Sequence, residues 1–164
     1  MNKLKINLLL LLLYPLFAGA KEVNLSSPNK VLHVVVTAEK NVSMQVLHKE
    51  NVLFTVRDIY LDTDQGMLPK LNAKVHSIKK NAVDQIIVPE IKEKNSRIVD
   101  RYNEISLLFA DKTKLEIRLY DNGVAYRIST NCKGELTIFD EAADFAFDPS
   151  STLFFQKDAN KFKI

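Results

Sequence analysis

The sequence predicts an all-β protein built as an antiparallel β-sandwich. Apolar and polar residues alternate with a period of two over several short runs, and no segment after the first twenty residues keeps a helical period for long. An Asn-Gly pair at positions 122–123 separates two such runs, which is a strong signal for a β-hairpin. Hydrophobic residues make up 46% and charged residues 26% of the 164 residues, as in globular proteins and unlike disordered ones.

The first twenty residues predict a secretory signal peptide. Two lysines near the start precede an apolar stretch over residues 6–20, which ends in an Ala-Gly-Ala triplet. A positive start, a short apolar middle and small residues at the end are the pattern of a cleaved signal. The stretch is shorter than the ~20 residues that span a bilayer, and position 21 is Lys rather than the Cys of a lipoprotein. We therefore predict a signal peptide at 1–20, one domain at 21–164, and a periplasmic or secreted location without a membrane anchor.

Charge and cysteine content exclude several classes of function. The chain has 23 basic and 20 acidic residues, and removing the signal takes two lysines and leaves a net charge of +1. We therefore expect no nucleic-acid binding by bulk charge, and the 4 glycines are too few for a glycine-rich phosphate-binding loop. Cys132 is the sole cysteine and no histidine follows it, so we expect a strand-end thiol rather than a nucleophile, and no internal disulfide.

The elements expected after the signal are short strands in chain order. Three β-branched runs separated by polar turns predict an opening meander. These runs are residues 31–38, 42–47 and 52–56. Two further strands are expected at 75–78 and 83–88, whereas the irregular stretch 60–72 is expected to form loops.

The clearest prediction is a three-stranded sheet over residues 102–130. A type I′ turn at Asn122 and Gly123, with positive φ at both residues, would join the last two strands, and a three-residue loop at 111–113 would join the first two. This register collects the large apolar side chains on one face, which we expect to be the core face. The expected pairs are Leu119–Tyr126, Ile117–Ile128, Phe109–Leu115, Leu107–Ile117 and Ile105–Leu119.

The opposite face of this sheet is expected to be polar. It carries Glu104, Ser106, Leu108, Glu116, Arg118, Tyr120 and Arg127. The expected register places Arg118 opposite Arg127, a destabilising pair of like charges that the two glutamates would offset from diagonal positions. We interpret this face as a solvated, self-neutralised surface. The alternative is a polar docking surface for another domain, which the leucine and the tyrosine favour.

No catalytic, cofactor-binding or metal-binding residue is predicted. The run Asp62-Thr63-Asp64-Gln65-Gly66 begins like a calcium loop, but its glycine comes one position early and Ala73 stands where the loop requires glutamate. His33, His48 and His76 match no zinc signature. Paired carboxylates for glycoside cleavage need a pocket between them, and the acidic candidates lie in no such context. These candidates are Asp100, Glu104, Asp121 and Glu141.

Several motifs occur in a fixed order along the chain. Ser27-Pro28-Asn29 comes soon after the signal, Arg101-Tyr102-Asn103-Glu104-Ile105 begins a strand, and LEIRLYDNGVAYR at 115–127 forms the hairpin. Glu141 and Phe145-Ala146-Phe147 follow. In this order the motifs resemble the amino-terminal domain of glycoside hydrolase family 97, which typically shows S-P-D/N, H-Y-N-E-L-like and R-x-Y-D-D/N-G-V/L-A/G-F/Y-R segments. The chain departs from that pattern in having arginine in place of the histidine and no tryptophan.

The resemblance implies a mutarotase-like supersandwich, of which this chain is expected to hold only part. In the family a (β/α)₈ barrel follows this domain and carries the catalytic acids and calcium ligands of α-glucosidases or α-galactosidases. The resemblance therefore implies a barrel or a missing chain segment as the partner, and α-glucoside or α-galactoside oligosaccharides as substrates. Calcium is implied for the complete enzyme and no cofactor for this chain, which we expect to be inactive alone.

Two hypotheses of function follow. The first is an exported, truncated sandwich that supports a catalytic barrel missing from this chain. A sandwich cut part-way leaves strand edges unpaired and half of its core uncovered, so its fold would need the missing half or a partner. The alternative is a stand-alone carbohydrate-binding or protein-interaction module without catalysis, in which exposed aromatic residues such as Tyr120 and Phe154 stack on a ligand.

Overall fold

All the regular secondary structure is β-strand in the part that the computed structural model describes, residues 22–91 and 94–154. Within these ranges the chain has nine strands and lacks any helix that could cross a membrane. The strands are β1 (Glu22–Ser26), β2 (Leu32–Ala38), β3 (Val42–His48), β4 (Asn51–Thr63), β5 (Val75–Ile87), β6 (Ile98–Phe109), β7 (Lys114–Tyr120), β8 (Val124–Ser129) and β9 (Ile138–Phe147). The all-β prediction is confirmed, whereas the predicted signal peptide lies outside the described residues.

Two antiparallel sheets pack face to face. One has five strands in the order β1-β2-β3-β4-β9, and the other has four in the order β5-β6-β7-β8. Across the interface β1 contacts β6 and β2 contacts β7. The arrangement confirms the predicted sandwich and shows that the two sheets are offset. By strand order β5 lies at one edge, beyond β1, and β4 and β9 lie at the other edge, where β4 still buries Val56 and Ile59 and β9 is only partly covered.

The core lies between the sheets and consists mainly of aliphatic side chains, which alternate with polar ones along the strands. Burying one such side chain contributes about 1.5–3 kcal/mol, so this layer stabilises the fold. The predicted core face of β6, β7 and β8 is confirmed, with Tyr126 and Ile128 half-buried at its edge. The fully buried members are Val34, Val36, Met44, Val46, Val56 and Ile59 in one sheet and Ile105, Leu107, Phe109, Leu115, Ile117 and Leu119 in the other.

Both predicted hairpin registers are wrong by two positions along one strand. The loop between β6 and β7 spans residues 110–113 rather than 111–113. Because side chains alternate between the two sides of a strand, a shift of two leaves every side chain on its predicted face. The observed pairs include Leu119–Val124, Ile117–Tyr126, Ile105–Ile117 and Leu107–Leu115.

The turn between β7 and β8 is not of type I′. Neither Asn122 nor Gly123 has a positive φ, and the backbone amide of Tyr120 donates to the Gly123 oxygen at 2.8 Å. Asp121 is thereby included in the turn, where its carboxylate accepts a hydrogen bond from Arg101 at 2.5 Å. A contact that is distant in sequence thus competes with the local preference of the Asn-Gly pair.

Two strands are longer than predicted. β4 continues to Thr63 through the start of the predicted loop 60–72, because a bulge accommodates Asp58 at a φ of 52°. β5 joins the predicted strands 75–78 and 83–88, because the polar residues between them pair with β6. Both extensions depend on pairing with a neighbouring strand rather than on local periodicity.

Candidate interaction surfaces

Three of the sequence motifs meet at one end of the sandwich. The carboxylate of Asp121 accepts hydrogen bonds from Arg101 on β6 at 2.5 Å and from the backbone amide of Asn29 at 2.8 Å. The bond from Arg101, followed by that from Asn29, holds the pKa of Asp121 below its ordinary value. These motif residues therefore fasten the loop between β1 and β2 to the β7–β8 turn, which is a structural role.

The acidic residues considered for catalysis are each engaged separately. Every one of the four accepts a hydrogen bond from a different side chain. The described residues also contain no group of three or more His, Cys, Asp or Glu side chains that could hold a metal ion. These four carboxylates thus serve contacts within and between the sheets. The pairs are Asp100–Gln85 and Glu141–Tyr126 at 2.8 Å, Glu104–Arg118 at 2.7 Å and Asp121–Arg101 at 2.5 Å.

The outer face of the four-stranded sheet carries ion pairs other than the expected ones. Arg127 stands opposite Glu116 and Arg118 stands opposite Ala125, so the predicted contact between like charges is wrong. Arg127 donates to Glu116 through Nε at 2.9 Å and Nη2 at 2.7 Å, and Arg118 donates to Glu104 through Nε at 2.7 Å. The true register therefore places opposite charges together on this face.

Tyr102 lies on this outer face but is only 5% exposed. The guanidinium of Arg118 lies 4.5 Å from its ring centroid, and the ring of Tyr120 lies 5.1 Å away. Burial is the main cause that raises the pKa of Tyr102. Tyr120, one of the two aromatic residues considered for sugar stacking, is half-buried and packed against this ring, whereas Phe154 is exposed.

The inner face of β9 is partly uncovered. Phe145 and Glu141 pair with Val56 and Leu61, which are buried on the core side of β4, so alternate residues of β9 also face the interior. Val56 is fully buried, yet Phe145 beside it is 48% exposed, because the four-stranded sheet ends at β8. Phe54, Phe145 and Phe147 pack together here, with ring centroids 5.4–6.4 Å apart. An exposed aromatic cluster of this kind indicates a contact surface.

One hydrogen bond crosses the gap between β8 and β9. The hydroxyl of Tyr126 donates to Glu141 at 2.8 Å. Burial, followed by this bond to an anionic acceptor, raises the pKa of Tyr126 to about 12.

This pKa shift predicts a loss of stability at alkaline pH. Because the folded state holds the Tyr126 proton more tightly than the unfolded chain, stability falls as the pH rises from about 10 toward 12. The urea midpoint of unfolding, measured from pH 8 to 11, should therefore decline in the parent protein. We expect Tyr126→Phe to remove the part of this decline that ionisation of Tyr126 causes. An identical alkaline decline in both proteins would contradict the prediction.

The family model described as "Glycosyl-hydrolase 97 N-terminal" matches residues 25–163. This chain belongs to that family, as an amino-terminal domain.

The relatives of this family 97 chain are much longer proteins. A retaining alpha-galactosidase from Bacteroides thetaiotaomicron is 26% identical over 152 residues, which cover 93% of this chain and 23% of the relative. A family 97 enzyme from Pseudoalteromonas sp. strain K8, solved with acarbose, superposes with a TM-score of 0.69 at 15% identity, over 77% of this chain and 20% of that one. A beta-arabinopyranosidase gives a TM-score of 0.68 at 20% identity, covering 77% and 21%. The chain thus spans about a fifth to a quarter of the proteins it matches.

A second apolar surface of this family 97 domain lies on the arm formed by the distal halves of β5 and β6. Ile86 pairs with Val99 and Ile87 pairs with Ile98, and all four side chains are exposed. Because successive residues point to opposite sides of a strand, both faces of this arm are apolar.

The apolar face of β9 could be predicted in part from the sequence. Ala143, Phe145 and Phe147 occupy alternate positions of β9, which is the signal of a strand with one apolar face. That pattern cannot show whether the face is covered, because exposure depends on where the opposite sheet ends.

Proposed function

We propose that this chain is the exported amino-terminal sandwich of a family 97 α-glycosidase, and that it supports a catalytic (β/α)₈ barrel supplied by a segment outside this chain. The observation that carries the proposal is Phe145, 48% exposed on the core side of its sheet. A sheet that extends past its partner needs further polypeptide to cover it. The length of the relatives also supports a covering segment from outside this chain, since at least three-quarters of each relative lies outside the matched region.

The substrates we propose for the complete enzyme are α-glucoside or α-galactoside oligosaccharides. The relatives named as a retaining alpha-galactosidase and as an enzyme in complex with acarbose support this class. The choice between glucosides and galactosides stays open, because the family resemblance assigns the deciding catalytic acids to the barrel. Calcium, which the family resemblance implies for the complete enzyme, finds no fitting donor cluster among the described residues, and we assign it to the segment outside this chain.

Sequencing the transcript beyond the codon for Ile164 tests this proposal. We expect an open reading frame, continuous or frameshifted, that encodes alternating strands and helices of a barrel. A stop codon directly after Ile164, together with retention of the expressed protein on immobilised sugars, would favour the stand-alone binding module instead.

Export has its own test. Because the first twenty residues have the pattern of a signal peptide, we expect the protein recovered from the periplasm or medium to begin at Lys21. Edman sequencing or intact mass measures this directly. Protein that retains Met1 and stays in the cytoplasm would contradict the prediction.

A further inference from the structure

A small cup lies on the outer face of the four-stranded sheet. Ala125 forms its floor, since this alanine is the residue opposite Arg118 and leaves the space above β8 unfilled. Tyr120, Arg127 and Glu116 line its sides, and its volume is about 170 Å³. Pockets for drug-sized ligands are larger, about 300–1,000 Å³. This cup therefore has room for a single small ring.

The cup carries a surplus of positive charge. Its charged walls and their ion-pair partners are Lys114, Arg118 and Arg127 against Glu104 and Glu116, which leaves one cation in excess. Glu116 is only 9% exposed, and burial alone would raise its pKa. The hydrogen bonds from Lys114 and Arg127 outweigh burial and lower the pKa, so this carboxylate stays ionised at neutral pH. The excess charge of the cup is thus permanent near neutrality.

The two guanidinium groups are held in place by bonds that do not use all of their donors. Arg118 bonds Glu104 through Nε and lies over the ring of Tyr102, while Arg127 bonds Glu116 through Nε and Nη2. A guanidinium has five N–H donors, so each arginine can also donate to a ligand. Donors that are already oriented lose little conformational freedom on binding.

We propose that this cup binds the carboxylate-bearing ring of an acidic sugar, a hexuronate. The carboxylate of the sugar would face Arg118 and Arg127 and neutralise the excess positive charge. It would accept charge-assisted hydrogen bonds from the two guanidinium groups. The ring of Tyr120 and the methyl group of Ala125 offer an apolar surface to the sugar C–H groups. The site belongs to this chain alone, so it does not depend on the proposed barrel.

Ligand-observed NMR titration of the full chain tests this site. The probes are D-galacturonate and D-glucuronate, with D-galactose as a neutral ring and glutarate as a carboxylate without a ring. We expect saturable binding of a hexuronate that is at least about tenfold tighter than binding of galactose, since hydrogen bonds to a charged group are stronger than those between neutral groups. Added salt should weaken this binding.

The deciding variant is Ala125→Leu, which fills the cup and keeps every charge. We expect it to weaken hexuronate binding at least about tenfold, while Ala110→Leu, the same exchange at an exposed loop position, leaves binding unchanged. Unaltered binding by Ala125→Leu, or no saturable binding of either hexuronate, would overturn the site. If glutarate bound as tightly as the hexuronates, the proposed sugar ligand would be wrong, and the result would indicate an acidic protein side chain as the ligand instead. None of these results bears on the proposed barrel.

Discussion

We expect replacement of Ile117 by Ala to lower the free energy of unfolding by about 2–5 kcal/mol, the range for truncating a buried aliphatic side chain. Ile117 is fully buried between the two sheets, and its neighbours cannot close the space without moving whole strands. A loss of this size is a large fraction of the stability of a small domain.

The matched control for this prediction is Ile98→Ala. Ile98 is on the neighbouring strand β6 but is exposed on the distal arm, so we expect a change within about 0.5 kcal/mol. Urea unfolding of both variants at one fixed protein concentration measures the difference. Equal effects at the two positions would show that the core does not lie where the structure places it.

The second large effect is expected for the double substitution of Phe145 and Phe147 by serine. The two rings stand on the partly uncovered inner side of β9 and pack with Phe54, and Phe145 is the exposed member of this cluster. We expect the double variant to bind an apolar fluorescent dye several-fold less and to self-associate less, because exposed aromatic surface drives both processes.

Leu71→Ser provides the control for the aromatic variant. Leu71 is 49% exposed, as much as Phe145, but it lies in the loop between β4 and β5. We expect its dye binding and association state to remain those of the parent chain. If Leu71→Ser reduced dye binding as far as the aromatic double variant, the uncovered face would not be the surface responsible.

The faces of the strands could be predicted from the sequence, and their registers could not. Alternation placed Ile105, Ile117 and Tyr126 on one side, and the structure confirms this because a shift of two positions preserves the side. The register itself depends on Asp121, which Arg101 and Asn29 hold in the turn from positions distant in sequence. Local turn preferences contain no information about such contacts.

The candidate surfaces, too, could be predicted from the sequence only in part. The polar outer face was predictable from alternation, but its charge pairs followed the wrong register, so the Glu116–Arg127 pair and the space above Ala125 were missed. The uncovered state of Phe145 was predictable only through the family resemblance, which implied that part of the sandwich was absent. Periodicity reports which side of a strand is apolar and not how far the opposite sheet extends.

Multi-angle light scattering combined with thermal unfolding of residues 21–164 tests most directly whether this chain is part of a larger sandwich. We expect a self-associating species whose apparent midpoint rises with protein concentration, because the uncovered aromatic face has no other partner in solution. A monomer with a single, cooperative, concentration-independent transition would contradict this interpretation.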